Sequence, residues 1–499
     1  CRGAMVVAEA RSADEPALSR RCVIMKVSDF TTEKYLRAHK QNAAAVLILL
    51  PRNISGVPHD TVQSFMLSER EALLKETLMP VYVVPEDDQL LYMYEEVKQA
   101  AATRTSSIFI RLRSMVTATA FQILVSNNAP IQAVTDNTIV TLEFQGVLPG
   151  AVEDAPTVVI AAHYDSFGLA PWLSYGADSN GSGVTILLEL ARLFQKLYSS
   201  PSTRPYHLML SLTGGGKYNF LGTRRWIEEN LDHASSLLQD NVAFVLCLDT
   251  LANSDDLYMH VSRPPKPDTP MYSFIQLLQE VVSSRFPWVK VGLVHKKINL
   301  VESTIAWEHE RYSLRRIPSF TLSHAEDPKS ELRGSVLDSS QVDLRKLKRN
   351  GVIVAEALAR YMYNLSDKGS PRDVQVFRGQ MDFQDGRMSS LMSLLTSVPR
   401  AAQLLDKEPG HILLVNSLEH EFRRYLQQVH RHTFHQDKDP DIAFFDQMNQ
   451  PIVMYVKPAA FDLFLGGCIA AYLGIVYYAI QNFGYLYTKL KAAVKSKHQ

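Results

Sequence analysis

The sequence predicts an α/β fold in which a mostly parallel sheet is flanked by helices, with a smaller N-terminal α/β lobe and one C-terminal transmembrane helix. Three observations predict it. Short apolar runs alternate with helical stretches between residues 22 and 365. The later runs are apolar at nearly every position, which is typical of parallel strands buried on both faces. Residues 463–480 form an uncharged apolar stretch almost as long as a bilayer core is thick.

Composition and charge limit the classes of protein to consider. The length of 499 residues suggests two to four domains, and 46% hydrophobic with 21% charged residues is typical of a packed globular protein. Lys and Arg number 52, as do Asp and Glu, so no basic excess indicates nucleic-acid binding. The chain begins at Cys1 without a charged and apolar leader, and we expect any signal peptide to lie outside this sequence.

The four cysteines show no metal-binding spacing. Cys1, Cys22, Cys247 and Cys468 form no CxxC pair. Cys247 lies in an apolar strand and Cys468 in an apolar helix, where a cysteine more often serves as a small hydrophobic side chain than as a disulfide partner. The cysteines therefore neither establish nor exclude an oxidising compartment.

The N-terminal lobe is predicted over residues 1–114. Three apolar runs within it are predicted strands, at residues 21–27, 43–51 and 78–85. Residues 88–102, DQLLYMYEEVKQAAA, follow the period of a helix. The alternation predicts a small α/β lobe.

The larger lobe is predicted over residues 115–365. Its predicted strands are residues 138–144, 157–165, 207–214, 242–249 and 318–324. A helix over 183–198 places Ile186, Leu190 and Leu197 along one face, and a helix over 340–363 closes the lobe. Apolar strands alternating with amphipathic helices predict a mostly parallel sheet covered on both faces.

The segment 366–460 is polar and irregular, and we predict that it is membrane-proximal, with helices over 387–396 and 411–433. It carries three closely spaced histidines, His430, His432 and His435. On a helix these spacings do not place the three side chains on one face. They predict a solvated surface rather than a metal site.

A transmembrane helix is predicted over residues 461–487, followed by a tail, 488–499. Tyrosines lie along the apolar stretch and the tail is basic, which is typical of a membrane span and its cytosolic flank. The positive-inside rule predicts a cytosolic C-terminus and places everything before residue 461 on the other side. Lys495 and Lys497 near the C-terminus resemble a dilysine signal that returns membrane proteins to the endoplasmic reticulum.

Three N-x-S sequons agree with a lumenal location of the bulk of the chain. Asn53, Asn180 and Asn364 are the predicted glycosylation sites. Each sequon alone is a weak signal, because the pattern is short.

Groups suited to metal binding stand at several predicted strand ends. The strand TVVIAAHYD delivers His163 and Asp165, and the strands that follow end at Asp249 and His324. Asp178 lies in the loop SYGADSNGSG, just before a helix. Function gathers at the carboxyl edge of open α/β sheets, so these side chains are expected to converge.

The order of these residues resembles the co-catalytic zinc aminopeptidase family, whose relatives include glutamate carboxypeptidase, the transferrin receptor and nicastrin. The match covers about half of the chain, residues 115–365, with the segments HYD and GADSNGSG, the Asp249 strand and the final histidine in register. The resemblance implies a sheet of zinc-aminopeptidase type.

The family's metal roles transfer residue by residue. The resemblance implies that His163, Asp178 and Asp249 correspond to the ligands of one zinc. Asp178, as the bridging ligand, and His324 correspond to ligands of the other. Asp165 corresponds to the carboxylate that orients the first histidine.

The chain departs from this family in the segment TGGGKYNFLGT. The family carries two adjacent glutamates there, and alignment on FLGT places them at Gly216 and Lys217. The first glutamate is the family's general base and the second is a zinc ligand, and neither glycine nor an ammonium replaces them. We therefore predict no catalytic residue, no bound metal and no cofactor. Lys217 is expected to stand among the three aspartates as an internal replacement for a metal, and a glycan on Asn180 would crowd the cleft.

Other readings of the same residues predict different proteins. A phosphate-binding loop is excluded because Tyr218 follows Lys217 and the GxxxxGK[ST] spacing is absent. An active metallo-aminopeptidase requires a substitute acid, for which Glu302, Glu308 and Glu310 are candidates. A nicastrin-like substrate receptor of a membrane complex is the third alternative.

The small lobe, the GGGK replacement, the segment AWEHER at 306–311 and the single span with a basic tail together resemble a non-catalytic branch of this family. That resemblance implies an endoplasmic reticulum membrane scaffold. It also implies a hetero-oligomer with a multi-pass membrane subunit and a Nodal-modulator-type lumenal protein. The Sec translocon and the ribosome are indirect partners, during biogenesis of multi-pass membrane proteins.

Overall fold

The computed structural model of the protein describes residues 7–75, 77–103, 119–125, 141–232, 238, 241–302, 304–338, 342–365, 375–402, 409–434 and 452–495. The chain forms two compact units. Unit 1 consists of residues 1–52, 76–131 and 447–499, and unit 2 consists of residues 53–75 and 132–446.

The strands are β1 Val7–Ser12, β2 Cys22–Lys26, β3 Ala45–Leu50, β4 Val81–Pro85, β5 Thr119–Val125, β6 Thr141–Leu148, β7 Thr157–His163, β8 His207–Thr213, β9 Val242–Leu248, β10 Asp256–Val261, β11 Lys290–His295, β12 Ser319–Ser323, β13 Gln427–Phe434 and β14 Ile452–Pro458. The helices are α1 Thr32–Lys40, α2 His59–Leu73, α3 Asp88–Thr103, α4 Gly181–Leu197, α5 Leu221–Asp232, α6 Pro270–Arg285, α7 His309–Leu314, α8 Leu344–Met362, α9 Asp385–Leu395, α10 Pro409–Tyr425, α11 Ala459–Gln481 and α12 Phe483–Lys495.

Unit 1 contains a six-stranded sheet in the order β14-β5-β1-β2-β3-β4. Strands β1 to β4 are parallel, and β5 pairs antiparallel with both β1 and β14. Leu47 and Leu49 of β3 pack with Leu90 and Met93 of α3 in its core. The small lobe is therefore α/β, as predicted.

Unit 2 contains an eight-stranded sheet in the order β11-β10-β12-β9-β7-β8-β6-β13. The four central strands β12, β9, β7 and β8 are mutually parallel. Helices α4, α6, α8, α9 and α10 contribute to the core on one face, and α5 and α7 to the core on the other. The predicted fold class, a mostly parallel sheet flanked by helices, is confirmed.

The helices of unit 2 begin where side chains satisfy free N–H groups. Asn180 accepts a hydrogen bond from the Gly183 N–H at the start of α4, and Asp343 accepts from the first turn of α8. α6 begins with Pro270 directly after the capping residue Thr269. The caps fix α4 directly behind the loop that carries Asp178.

The division of the chain differs from the linear domains that the sequence predicts. Helix α2 falls in the predicted lobe 1–114 but belongs to unit 2, and β5 belongs to unit 1. The predicted segment 366–460 is divided, since α9 and α10 join the core of unit 2 and β14 joins the sheet of unit 1. The polar composition of residues 366–460 does not reveal this packing, because α10 buries only one face, which carries Leu414, Leu418 and Phe422. The predicted boundary between the lobes lies outside the described residues.

The predicted helix over 411–433 is wrong in its second half. α10 ends at Tyr425, and the next residues form β13, which pairs antiparallel with β6. Pairing with an open sheet edge outweighs the local helical pattern. His430 and His432 therefore share one face of a strand, 6.4 Å apart between ring centroids, while His435 lies outside the described residues. No group of three or more potential metal ligands is found in the part of the chain that the structure describes.

α11 is the one helix among the described residues that is long and apolar enough to cross a membrane, over Leu463–Gln481. It continues directly from β14. The predicted helix over 461–487 is interrupted at Asn482, where the weakly helix-forming Asn and Gly484 lie close together, and α12 follows. Lys495 ends α12, and Lys497 lies outside the described residues.

Candidate functional site

The carboxyl ends of the central strands of unit 2 bring the predicted site residues together. His163 ends β7, Asp249 follows β9 and His324 follows β12, while Asp178 lies in the loop before α4. All four side chains are buried, with exposed fractions of 0% for His163 and 7% for His324 at the two extremes. The edge of the sheet therefore concentrates two histidines and two carboxylates, as the sequence predicts.

Asp178 and His324 form an ion pair with each other. His324 Nε2 lies 2.8 Å from Asp178 Oδ2, and Asp178 Oδ1 accepts a hydrogen bond from the N–H of Ala252. Burial alone would raise the pKa of the Asp178 carboxyl, but the His324 charge together with the hydrogen bonds to the carboxylate outweighs burial and lowers that pKa. Burial alone would lower the pKa of His324, but the charge and the hydrogen bond of Asp178 outweigh burial and raise that pKa. The two buried side chains therefore stabilise each other's charged forms.

Asp249 is paired with an arginine that the sequence analysis did not single out. Arg333 Nη2 donates to Asp249 Oδ2 at 2.6 Å. The same guanidinium stacks on Trp307, 4.0 Å from the ring centroid, and its Nη1 donates to the carbonyl oxygens of Ala306 and Pro328. Burial favours the neutral form of Asp249, yet Arg333 and then Lys217 hold its pKa far below the usual range. Arg333 lies in a polar loop with no pattern that marks it in sequence.

Lys217 is half-buried at the predicted position but makes a different set of contacts. Its Nζ donates to Ser179 Oγ at 2.5 Å and to the carbonyl oxygen of Arg333 at 2.7 Å. Within the described residues no carboxylate forms an ion pair with it. Burial lowers the pKa of Lys217 to about 8, although Asp249 acts in the opposite direction. The expectation that Lys217 replaces a metal stays a prediction: its Nζ binds Ser179 and the backbone of Arg333, while its charge helps to lower the pKa of Asp249.

Asp165 holds the glycine loop rather than a histidine ring. Its Oδ1 accepts from the N–H of Gly216 at 2.7 Å, and its Oδ2 accepts from the N–H of Lys217 at 3.0 Å. Both bonds are formed to backbone groups. The orienting role that the resemblance implies for Asp165 is replaced by anchoring of the GGGK loop.

The side chain of His163 lies so close to residue 216 that only glycine fits there. A Cβ at residue 216 would lie 2.3 Å from Cγ of His163, well inside van der Waals contact. A glutamate at the position of the family's general base therefore does not fit beside the His163 ring as it stands. The position of the His163 ring therefore leaves no room for a side chain at residue 216.

Of the three acids considered as substitutes, Glu308 alone lies beside His163. Its Oε2 is 3.8 Å from His163 Nδ1, and its Oε1 accepts from Thr213 Oγ1 and Thr223 Oγ1. Glu302 is exposed, and Glu310 accepts from the N–H of Ala306. Glu308 is thus held by two hydroxyl groups in a closed pocket.

Asn180 is not a glycosylation site in this fold. Its exposed fraction is 0%, and its Nδ2 donates to the carbonyl oxygens of His163 and Leu248. Its Oδ1 accepts from the N–H groups of Gly183 and Thr250. All polar atoms of the amide are used, and no space remains for a glycan. Asn53 and Asn364 are exposed.

Two further buried charged residues, Arg400 and Glu69, hold the loops around the site by hydrogen bonds. No sequence pattern predicted either of them. Arg400 is fully buried, and its guanidinium donates to the carbonyl oxygens of Tyr164, Tyr175 and Gly176. Burial lowers the pKa of Arg400 to about 10, partly offset by nearby carboxylates. This arginine, from the segment predicted to be membrane-proximal, holds the loop that carries Asp178.

The second charge is Glu69 of α2. Its Oε1 accepts from the N–H groups of Leu169 and Val336 at 2.8 and 3.1 Å, and its Oε2 accepts from Ser335 Oγ at 2.5 Å. Burial raises the pKa of Glu69 to about 7 against the effect of these hydrogen bonds. The residue joins two loops, one of which carries Arg333.

The donor set does not fit a two-zinc centre. Lys217 stands where the resemblance implies a glutamate ligand, Arg333 contacts the carboxylate of Asp249, and His324 is hydrogen-bonded to Asp178. Zinc sites are built from deprotonated ligands without a competing cation. Arg333 and Lys217 instead bring positive charge next to the carboxylate of Asp249.

Comparison with known proteins identifies relatives over the full length of the chain. Residues 143–287 match the model of peptidase family M28. The protein "BOS complex subunit ncln" of Danio rerio is 51% identical over 512 residues, which cover 98% of this chain and 88% of that protein. "BOS complex subunit NCLN" of Homo sapiens is 49% identical over 507 residues, with coverage of 100% and 89%. "Nicalin" of Caenorhabditis elegans is 28% identical over 500 residues, with coverage of 96% and 86%.

The fold is also similar to a solved structure. The crystal structure of the gamma-secretase component nicastrin aligns with a TM-score of 0.57 at 11% identity, covering 90% of this chain and 95% of that one. At that identity the likeness concerns the fold alone. The full-length identity to the curated relatives is what decides the family. The chain therefore belongs to the nicalin family.

Proposed function

We propose that the protein is a non-catalytic scaffold subunit of an endoplasmic reticulum membrane complex, with a pseudo-peptidase lobe. Two contacts support the proposal. Arg333 is bound to Asp249 in the place where an active relative needs metal ligands, and Gly216 packs against His163 where that relative needs its base. A site filled by its own cations has no room for the water that a metal would activate.

The proposed location is the endoplasmic reticulum membrane, single-pass, with the bulk of the chain lumenal and the C-terminus cytosolic. The candidate span α11 and the lysines that follow it, Lys489 and Lys491 within α12, support this orientation. Lys495 and Lys497 are the proposed retrieval signal. The exposed sequons at Asn53 and Asn364 are the proposed glycosylation sites of the lumenal part.

The proposed partners are a multi-pass membrane subunit and a Nodal-modulator-type lumenal protein, with the Sec translocon and the ribosome as indirect partners. The names of the relatives support a complex, since each of the two closer ones described above is a subunit of the BOS complex. In this proposal the complex assists the biogenesis of multi-pass membrane proteins, and this chain contributes rigid binding surfaces rather than chemistry.

Purification of the full chain from native membranes in mild detergent tests the proposal. We expect stoichiometric co-elution of a multi-pass membrane protein and a large lumenal protein, and a zinc content far below one per chain. We also expect no hydrolysis of aminoacyl or peptidyl substrates when zinc is added. A chain that elutes alone, binds zinc and cleaves peptides would instead establish the active metallo-aminopeptidase, with Glu308 as the acid to test first.

A further inference from the structure

Strand β11 leaves one edge of the large sheet of unit 2 open. It spans Lys290–His295 and pairs with β10 over six consecutive residues without a register shift. No other described strand lies beyond it. An edge of this kind presents a row of free N–H and C=O groups to a neighbouring chain.

The hydrogen bonds of β11 show which backbone groups point outward. The N–H groups of Lys290 and Lys296 donate to carbonyl oxygens of the β10 side. In a parallel pair, alternate residues direct their backbone groups to opposite sides. The N–H and C=O groups of Val291, Leu293 and His295 therefore face away from the sheet.

Large apolar side chains are exposed around this edge. The exposed fractions are 62% for Trp288, 43% for Leu293, 80% for Leu300 and 94% for Val301. Trp288 precedes the strand, and Leu300 and Val301 lie in the loop that follows it. Strand β11 and the segments before and after it thus expose four large apolar side chains.

Positive charges stand at both ends of the strand. Lys290 opens it, and Lys296 and Lys297 follow its last residue. Among the described residues, no acidic side chain forms an ion pair with any of the three. The edge is therefore apolar along its middle and basic at its ends, where the charge of Lys296 also acts on Glu310.

The opposite edge of the same sheet, β13, shows how this protein protects a strand. Its register shifts between Gln427 and His430, and Arg431 is paired with Glu419 at 3.1 Å. Bulges twist a strand edge away from its neighbours and so hinder edge-to-edge association, as do charged side chains, lysine above all, along the edge. β11 has no register shift, and its lysines lie at its ends rather than at the outward-facing positions 291, 293 and 295.

We propose that β11 is a docking edge for an extended acidic segment of a partner protein, which adds to the sheet as a further strand. Its backbone pairs with Val291, Leu293 and His295, its apolar side chains cover Leu293, and its acidic side chains stand beside the lysines at the two ends. A second copy of this chain fits poorly, because antiparallel pairing of two β11 edges would bring Lys290 against the basic end of the other copy. The proposal rests on the scaffold role proposed above.

Site-specific photocrosslinking in the full-length protein in native membranes tests the docking edge. A benzoylphenylalanine replaces His295, and a matched probe replaces Thr433 on the protected edge β13. We expect an adduct from residue 295 that maps by mass spectrometry to an extended acidic segment of another protein, and at least about tenfold less of it from residue 433. Mapping to a helix, to a basic segment or to a second copy of this chain would overturn the proposal, as would the absence of any adduct.

Variants then separate pairing from side-chain packing. Leu293→Pro removes an outward N–H without touching the bonds to β10, and proline is tolerated at such edge positions. We expect it to reduce the adduct about tenfold, whereas Leu293→Ala, which keeps the N–H, reduces it less. The double variant K296E/K297E tests the charges and is also expected to reduce the adduct. If all three leave the adduct unchanged while the complex still co-purifies, the docking edge is wrong and the scaffold role stands.

Discussion

The guanidinium of Arg333 lies 2.6 Å from the carboxylate of Asp249, which directly follows strand β9. Asp249 is 1% exposed, and Arg333 is fixed on its other side by the ring of Trp307. A buried carboxylate needs a compensating cation. Arg333 therefore allows the carboxylate to remain in the fold without a metal.

Removal of this arginine is expected to destabilise the protein strongly. Arg333→Met leaves Asp249 buried and unpaired, and loss of one partner of a buried pair costs about 3–5 kcal/mol in the free energy of unfolding. Urea denaturation of the full chain in detergent, followed by tryptophan fluorescence, measures it. Arg345→Met is the matched control, since that side chain is 95% exposed, and a change below about 0.5 kcal/mol is expected. The double variant D249N/R333M should regain part of the loss, and a fully stable Arg333→Met would show that the pair is dispensable.

Reintroduction of the family's base is expected to fail. Gly216→Glu places a Cβ 2.3 Å from His163 Cγ, so the His163 ring must move. We expect a loss of about 1–3 kcal/mol in the free energy of unfolding from overpacking, and no peptidase activity with added zinc. Gly386→Ala is the control, because nothing lies within 4 Å of the Cβ position at that exposed helical glycine. A stable, zinc-binding Gly216→Glu would show that the site is latent rather than closed.

The sheet could be predicted because its strands are apolar throughout. The runs that became β7, β8 and β9 are buried at nearly all positions, and continuous burial leaves a strong signal in sequence. The second half of the predicted helix over 411–433 failed because β13 forms through its partner β6, and pairing with a distant strand leaves a weaker local signal. The joining of α2 to unit 2 depends on long-range contacts in the same way.

Only those site residues could be predicted from the sequence whose type, His or Asp, stands out at the end of an apolar strand. His163, Asp249 and His324 stand at such ends and converge. Arg333 and Arg400 come from loops whose positions depend on the whole fold, and an arginine in a polar segment resembles any solvated arginine. The sequon at Asn180 shows the same limit of sequence-based prediction. The N-x-S pattern is present whether the asparagine amide is exposed or, as here, caps a helix.

Glycan occupancy is expected to follow exposure. Asn53 and Asn364 are exposed, while Asn180 is fully buried with its amide hydrogen-bonded on both atoms. A chain that acquires a glycan at Asn180 would lose the cap of α4 and the fold around it. Enzymatic deglycosylation in heavy-oxygen water, followed by peptide mass spectrometry of the membrane-derived protein, should label residues 53 and 364 and leave residue 180 as asparagine. Stoichiometric label at residue 180 in a folded protein would contradict the described loop.

The buried carboxyl of Glu69, which joins two loops by hydrogen bonds, predicts that the stability of the protein depends on pH. Burial raises the pKa of its carboxyl from the ordinary 4.5 to about 7, so the folded protein binds a proton that the unfolded chain releases between these values. The contribution is fully present below pH 4.5 and is lost as pH rises towards 7, a change of about 3 kcal/mol at most.

Glu69→Gln keeps an acceptor for the N–H groups of Leu169 and Val336 but does not titrate. Urea denaturation at pH 5 and pH 8 should therefore show a smaller fall in stability for Glu69→Gln than for the unaltered protein. Glu71→Gln, at an exposed position on the same helix, is the control and should behave as the unaltered protein does. If the free energy of unfolding falls equally between pH 5 and pH 8 in both variants and in the unaltered protein, Glu69 is not the titrating group.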